Sequence, residues 1–165
     1  MKKTMKVVTA LACLGAVATL GMIKASAQDD KEMRFHKGEF DISPFGVYVD
    51  KSGGKWGAGA AATYFILENL GIGAATYWTD TGGTFFDNAE AEGYFRIPLL
   101  KIVAPYAVGS VGYQFDRAYW FETIGAGVDF RPFKNISAFS DLQWRITNNS
   151  TSDGAFVRFG VRLSF

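Results

Sequence analysis

The chain has 165 residues, a net charge of +1 and a 48% hydrophobic composition. Nineteen glycines and 26 aromatic residues accompany only four prolines, which favours an all-β chain rich in interfacial side chains. The balanced charge gives no indication of a basic surface for nucleic acid, so no nucleic-acid partner is expected.

The N-terminus has the organisation of a signal peptide. Three lysines in the first six residues precede an apolar stretch over residues 7–23, and Ala25-Ser26-Ala27 then matches the small-x-small cleavage pattern. We predict that residues 1–27 are removed, because 17 residues are marginal for a membrane-spanning helix. The alternatives are an uncleaved anchor and a lipoprotein modified at Cys13, although the apolar core before Cys13 is short.

Cleavage after Ala27 removes the only cysteine and leaves 13 basic and 16 acidic residues, a net charge of −3. A disulfide framework and a cysteine-based metal or redox site are then impossible, and no cofactor or metal is expected. Residues 28–38 are mostly charged and lack periodicity. We predict that they form a flexible N-terminal tail.

Residues 39–165 are predicted to form one all-β domain of eight extended segments separated by turn-like residues. The segments cover approximately 39–50, 55–67, 70–80, 86–99, 104–115, 118–131, 136–147 and 155–165. They run to about the 9–11 residues of a transmembrane strand, and their number is even, as in single-chain bacterial barrels. Sixteen such strands would need roughly 160 residues, which excludes a large porin.

Alternation within the segments separates an apolar face from a polar one. A transmembrane barrel places the apolar face outside and the polar face inside, whereas a soluble lipocalin-like barrel would reverse the two. We predict the transmembrane arrangement, with a lumenal polar cluster of four acidic and four basic residues: Glu90, Glu92, Arg96, Asp129, Asp141, Arg145, Arg158 and Arg162. Aromatic residues near strand ends are predicted to form interfacial girdles: Trp56, Tyr77, Trp78, Tyr113, Trp120 and Trp144.

The last segment ends on Phe165, with Leu163, Val161 and Phe159 at every second position before it. This pattern resembles the closing strand of bacterial outer-membrane β-barrels. The resemblance implies that these four residues are an assembly signal recognised by the barrel-assembly machinery.

Three further segments, Tyr64–Gly73, Pro105–Tyr113 and Phe133–Ser137, are similar to the small eight-stranded outer-membrane barrels related to the opacity proteins and to the membrane domain of outer-membrane protein A. The resemblance implies an antiparallel up-and-down barrel integral to the outer membrane of a Gram-negative-type envelope, in contact with its lipids.

An eight-stranded barrel has a lumen just wide enough for side chains, and equal numbers of acidic and basic residues can pair there. We therefore predict a structural or surface-interaction protein with a sealed polar interior. A narrow, low-conductance pore is the alternative. Small residues on the second and third segments either make room for lumenal arginines or leave a wet cavity: Gly57, Gly59, Ala61, Gly71, Gly73 and Ala75.

An outer-membrane lipid-modifying enzyme is a remote alternative. It needs a base beside a nucleophile, and the only histidine, His36, lies in the charged tail without a serine nearby in sequence. No catalytic residue is predicted, and the external partner is left open.

Overall fold

The structure, a computed structural model, describes residues 34–50, 54–79, 86–147 and 153–165. The predicted signal peptide and residues 28–33 of the predicted tail lie outside the described residues. Within the described ranges, no helix is long and apolar enough to cross a membrane.

Eight antiparallel strands form a closed barrel in which each strand pairs with the next and the last pairs with the first. Their bounds are β1 (Phe40–Val49), β2 (Lys55–Phe65), β3 (Leu70–Thr79), β4 (Asn88–Arg96), β5 (Val103–Gln114), β6 (Tyr119–Phe130), β7 (Ile136–Thr147) and β8 (Gly154–Ser164). The predicted fold class is confirmed. The largest boundary difference is at β4, which ends at Arg96 because Pro98 has no backbone N–H to continue the ladder.

The two ends of the barrel differ in their connections. At the end that we name the turn end, β2 joins β3 through a tight turn in which Leu67 and Leu70 exchange backbone hydrogen bonds of 3.2 and 3.3 Å. Residues 97–102 and 131–135 make the other two connections there. The connections at the opposite end, the loop end, include residues 115–118, where Ala118 has a φ of 51°.

The barrel closes at the turn end as well as along its strands. Phe165 and Phe40 exchange backbone hydrogen bonds of 2.9 and 3.2 Å, and Asp41 pairs with Ser164 in register. Closure leaves no free sheet edge, which a lipid environment requires because it cannot satisfy backbone N–H and C=O groups. The outward residues of the final strand, Phe159, Val161 and Leu163, are exposed, as is Phe165.

With one exception among the described strand residues, outward-facing side chains are apolar, aromatic or small, as the alternation predicts. Ile72 is 54% exposed and Leu142 is 59% exposed. Among the strand residues that the structure describes, Glu122 of β6 is the one charged residue at an outward-facing position. The apolar band therefore covers the barrel wall apart from a single carboxylate close to the loop end.

Five of the six predicted girdle residues face outward near the loop end: Trp56, Trp78, Tyr113, Trp120 and Trp144. The prediction for Tyr77 was wrong. Its side chain is wholly buried in the lumen, because it has the opposite alternation parity to its neighbour Trp78. Its ring is stacked on that of Phe156, with 6.2 Å between centroids.

Small residues of β2 make room for lumenal aromatic rings. A Cβ atom on Gly59 would lie 2.8 Å from Cζ of Phe45 and 2.4 Å from Cβ of Tyr77. Ala61 and Ala75 pack in the same buried cluster. The small residues therefore accommodate Phe45 and Tyr77, a use of the space that differs from the two predicted ones.

Candidate functional site: the lumenal polar residues

All eight residues of the predicted polar cluster face the lumen, and all but the half-buried Arg145 are buried. They do not form one cluster. Arg145 lies toward the loop end and Arg96 at the turn end, while Arg158 occupies the middle of β8. The lumen is best described as a central, a turn-end and a loop-end layer, with Arg162 between the first two.

The central layer surrounds Arg158, whose side chain is 1% exposed. Its Nε and Nη2 atoms donate to the two oxygens of Asp141 at 3.0 and 3.1 Å. Its Nη1 atom lies 2.5 Å from Oε1 of Glu92 and 3.3 Å from Oε1 of Glu90. One guanidinium thus meets three carboxyl groups, two from β4 across the barrel and one from the neighbouring β7.

Two tyrosines complete the central layer. The hydroxyl of Tyr94 donates to Glu92 at 2.9 Å, and that of Tyr106 donates to Asp141 at 2.8 Å. Charge-assisted hydrogen bonds of this kind are roughly twice as strong as neutral ones. The carboxylates of Glu92 and Asp141 are therefore held by both a cation and a hydroxyl.

Arg162, four residues nearer the turn end on β8, has different surroundings. Its guanidinium lies over three aromatic rings, at 4.6 Å from Phe139, 4.9 Å from Tyr106 and 5.2 Å from Tyr94. Its Nη1 atom is 3.6 Å from Asp129 and 4.0 Å from Asp41, and the oxygens of both aspartates make no hydrogen bond.

The turn-end layer is centred on Glu39, which immediately precedes β1. Arg131 binds both of its carboxylate oxygens, at 2.6 and 2.7 Å, and Arg96 donates to one of them at 3.0 Å. Burial opposes ionisation of Glu39, but the hydrogen bond from Arg131 and the positive charges of both arginines outweigh it and lower the pKa of Glu39 to about 2. Glu39 is therefore ionised at neutral pH.

Phe35 is part of this layer, so the described residues 34–38 depart from the predicted flexible tail. Its ring is wholly buried, with the guanidinium of Arg96 at 4.8 Å and that of Arg131 at 4.6 Å from its centroid. Arg34 donates to the backbone oxygens of Arg131 and Pro132. The segment packs because an aromatic ring between two cations gains cation–π attraction.

The loop-end layer is aromatic. Arg145 lies 4.2 Å from the ring centroid of Phe121, 5.5 Å from that of Phe156 and 5.7 Å from that of Tyr77. It also donates a hydrogen bond to the Tyr77 hydroxyl. This layer places three aromatic rings around one cation in the lumen.

Sequence reasoning missed several lumenal polar residues that complete these layers: Glu39, Asp41, Tyr106 and Arg131. Alternation parity could have found them. Glu39 and Asp41 are opposite in parity to the lipid-facing Phe40 and Ile42, and Arg131 follows Asp129 at the next inward position.

Among the described residues, no group of three or more histidine, cysteine or acidic residues is arranged to hold a metal ion. His36 is exposed at the turn end, and its backbone N–H donates to Glu39 at 3.3 Å.

The closed eight-stranded sheet, the apolar exterior and the charged interior together define an integral transmembrane β-barrel. The polarity of the two faces is the reverse of that in a soluble barrel. Here the ionic groups are buried inside and the outer wall is apolar, whereas a soluble barrel has a solvated exterior. The predicted assignment of faces follows from this arrangement.

No family model and no curated protein matches the chain. Solved structures do match. A de novo designed transmembrane β-barrel has a TM-score of 0.64 at 18% identity, over 78% of this chain and 97% of the other. The N-terminal β-barrel domain of OprF from Pseudomonas aeruginosa has a TM-score of 0.60 at 15% identity, over 79% and 99%.

Ail, the attachment invasion locus protein of Yersinia pestis, is also similar, with a TM-score of 0.53 at 14% identity over 78% of this chain and all of the other. Identities this low support the fold alone. At that level, the predicted resemblance to small eight-stranded outer-membrane β-barrels is confirmed.

Proposed function

We propose that this protein is a structural outer-membrane barrel whose lumen is sealed, leaving its exposed loop end to make contacts at the cell surface. The observation that carries the proposal is the central layer. Arg158 is linked by contacts of 3.3 Å or less to Glu90, Glu92 and Asp141, and so spans the lumen from β8 to β4.

The layers on either side support the same proposal. Phe35 and the ion-paired residues Glu39, Arg96 and Arg131 fill the turn end, and Arg145 with three aromatic rings fills the lumen toward the loop end. A conducting path would have to separate buried ion pairs, and leaving one charge of such a pair without its partner costs about 3–5 kcal/mol.

A narrow pore is the second candidate, and the surroundings of Arg162 favour it. Both oxygens of Asp41 and of Asp129 are buried and make no hydrogen bond to the protein. Buried polar groups of this kind need ordered water. A hydrated stretch of lumen next to the turn end would become part of a conduction path if the central layer opened.

Single-channel recording of the protein in planar bilayers distinguishes the two candidates. The sealed barrel predicts no discrete openings, with insertion shown independently by protection of the strands from protease in vesicles. The variant to compare with the wild type carries both Arg158→Ser and Glu92→Ser. This double variant loses one charge of each sign from the central layer. Openings in the double variant and none in the wild type support the sealed lumen, and reproducible openings in the wild type establish the pore.

The outward residues of β8 support a further part of the proposal, recognition of Phe159, Val161, Leu163 and Phe165 by the barrel-assembly machinery. Their side chains form one exposed apolar row at the seam where β8 meets β1. Replacing Phe165 by Ser is expected to lower the amount of assembled barrel in cells while leaving refolding of the purified protein into vesicles intact. Equal losses in both assays would indicate a folding defect instead.

A further inference from the structure

A chain of hydrogen bonds runs along the lumenal wall from β4 to β7. Oγ of Ser110 lies 2.8 Å from Oε2 of Glu90 and 2.7 Å from Oγ1 of Thr123. The Thr123 hydroxyl then lies 2.8 Å from Oε1 of Gln143, whose Nε2 lies 3.0 Å from Oδ1 of Asp141. All five side chains are buried.

This chain of hydrogen bonds needs one more proton than its two hydroxyl groups provide. Three oxygen–oxygen contacts join Glu90 to Gln143, but Ser110 and Thr123 carry one hydroxyl proton each. Turning the Gln143 amide over would give Thr123 a donor. It would also place the amide oxygen against a carboxylate oxygen of Asp141. In either arrangement, one additional proton is required at an end of the chain, on Glu90 or on Asp141.

The surroundings of the two carboxyl groups assign the proton. Asp141 receives two hydrogen bonds from Arg158 and a third from Tyr106, which together stabilise the ionised form. Glu90 and Glu92 both approach the Nη1 atom of Arg158. Glu92 lies 2.5 Å from this atom, whereas Glu90 lies 3.3 Å from it. Glu90 is therefore the third and least bound carboxyl group beside one guanidinium.

We propose that Glu90 is a buried proton-binding site, with its carboxyl group protonated in the folded barrel at neutral pH and donating to Ser110. The hydroxyl of Ser110 then donates to Thr123, which donates to Gln143, so every contact in the chain has its proton. The titratable and charged groups that face Glu90 are Tyr77 from β3, Glu92 from β4, Asp141 and Arg145 from β7, and Arg158 from β8.

This site is independent of whether the lumen conducts. It reduces the charge of the central layer, because Arg158 then faces two carboxylates instead of three. Burial of an unpaired carboxylate is costly, and neutralisation by a proton is the usual way in which that cost is avoided.

Infrared spectroscopy of the barrel in lipid vesicles at neutral pH tests the proposal. A protonated carboxylic acid has a carbonyl stretching band above the amide I region. We expect this band in the wild type, its loss in Glu90→Gln and its retention in Asp129→Asn, which removes a different buried lumenal carboxyl group. A band that persists undiminished in Glu90→Gln places the proton elsewhere and overturns the proposal.

Unfolding by urea gives a second readout. The side-chain amide introduced by Glu90→Gln can still donate to Ser110, so the unfolding midpoint of this variant is expected to match that of the wild type. Asp141→Asn, which weakens the paired hydrogen bonds to Arg158, is expected to lower it. A midpoint for Glu90→Gln as low as that of Asp141→Asn, or a failure to fold, would show that Glu90 acts as an ionised partner of Arg158.

Discussion

Arg158 and Arg162 lie four residues apart on the same face of β8, with side chains 1% and 2% exposed. Arg158 is held by carboxylates at hydrogen-bond distance, whereas Arg162 is held by three aromatic rings and by two aspartates at 3.6 and 4.0 Å. Similar burial therefore does not mean similar bonding. The first arrangement gives every nitrogen of the guanidinium a carboxylate partner, and the second leaves buried aspartate oxygens without a hydrogen bond from the protein.

The difference has consequences for the rest of the lumen. The tight contacts of Arg158 tie β8 to β4 across the barrel, which fixes the register of strands that are not neighbours in the sheet. The rings around Arg162 belong to β4, β5 and β7 and give a less directional attraction. We expect the central layer to be the rigid part of the interior.

Replacing each arginine in turn is expected to give the largest difference in stability between the two sites. Arg158→Met leaves three buried carboxyl groups without their cation and is expected to lower the free energy of unfolding by about 3–5 kcal/mol. Arg162→Met should cost less, because its aspartates already lack protein hydrogen bonds. Urea unfolding in lipid vesicles measures both, and equal losses would contradict the distinction between the two sites.

The faces of β8 provide the next test. Val161→Arg places a guanidinium on the lipid side of the wall, which costs up to roughly 2–4 kcal/mol near the bilayer midplane and less toward the interfaces. We expect it to impair membrane assembly more than Arg162→Val does. The yield of folded barrel in vesicles is the measurement, and equal yields for the two variants would contradict the assignment of faces.

Phe35 tests the proposed closure of the lumen at the turn end. Phe35→Ala removes the ring between Arg96 and Arg131 and is expected to cost about 1–2 kcal/mol, less than the roughly 3–5 kcal/mol of a Phe→Ala change in a core, because the segment can detach. Phe133→Ala, at an exposed residue of the same end, should stay within about 0.5 kcal/mol. Thermal unfolding compares the two, and similar effects would mean that Phe35 does not close the lumen.

Glu39 gives the turn end a defined response to acid. Its folded pKa of about 2 lies below the ordinary value of 4.5, so its ionised form stabilises the fold fully above pH 4.5. That stabilisation is lost as the pH falls toward 2. Glu39→Gln should be less stable than the wild type at neutral pH, and the difference should shrink over this acidic range. A constant difference from pH 7 to pH 2 would contradict the assignment.

Alternation predicts the faces well because a period of two determines the side on which each strand residue lies. It does not predict which lumenal charges meet. Arg158 reaches Glu90 and Glu92 on β4 because of the curvature and stagger of the closed barrel, which local sequence does not specify. The burial of Phe35 is equally non-local, since it depends on arginines 61 and 96 residues farther along the chain.

Glu122 is a carboxylate on the outer face of the wall, in contrast to the lumenal carboxyl groups. Its substitution is expected to have the smallest effect on the free energy of unfolding. It faces outward two residues from Trp120, near the loop end, where a charge costs about 0–1 kcal/mol against much more at mid-bilayer. Glu122→Gln should therefore change the free energy of unfolding by less than about 1 kcal/mol, whereas Asp141→Asn disturbs a buried pair. The same urea unfolding in vesicles measures this change. A large loss of stability in Glu122→Gln would show that this carboxylate lies deeper in the bilayer, or is bound more tightly, than its position beside the girdle implies.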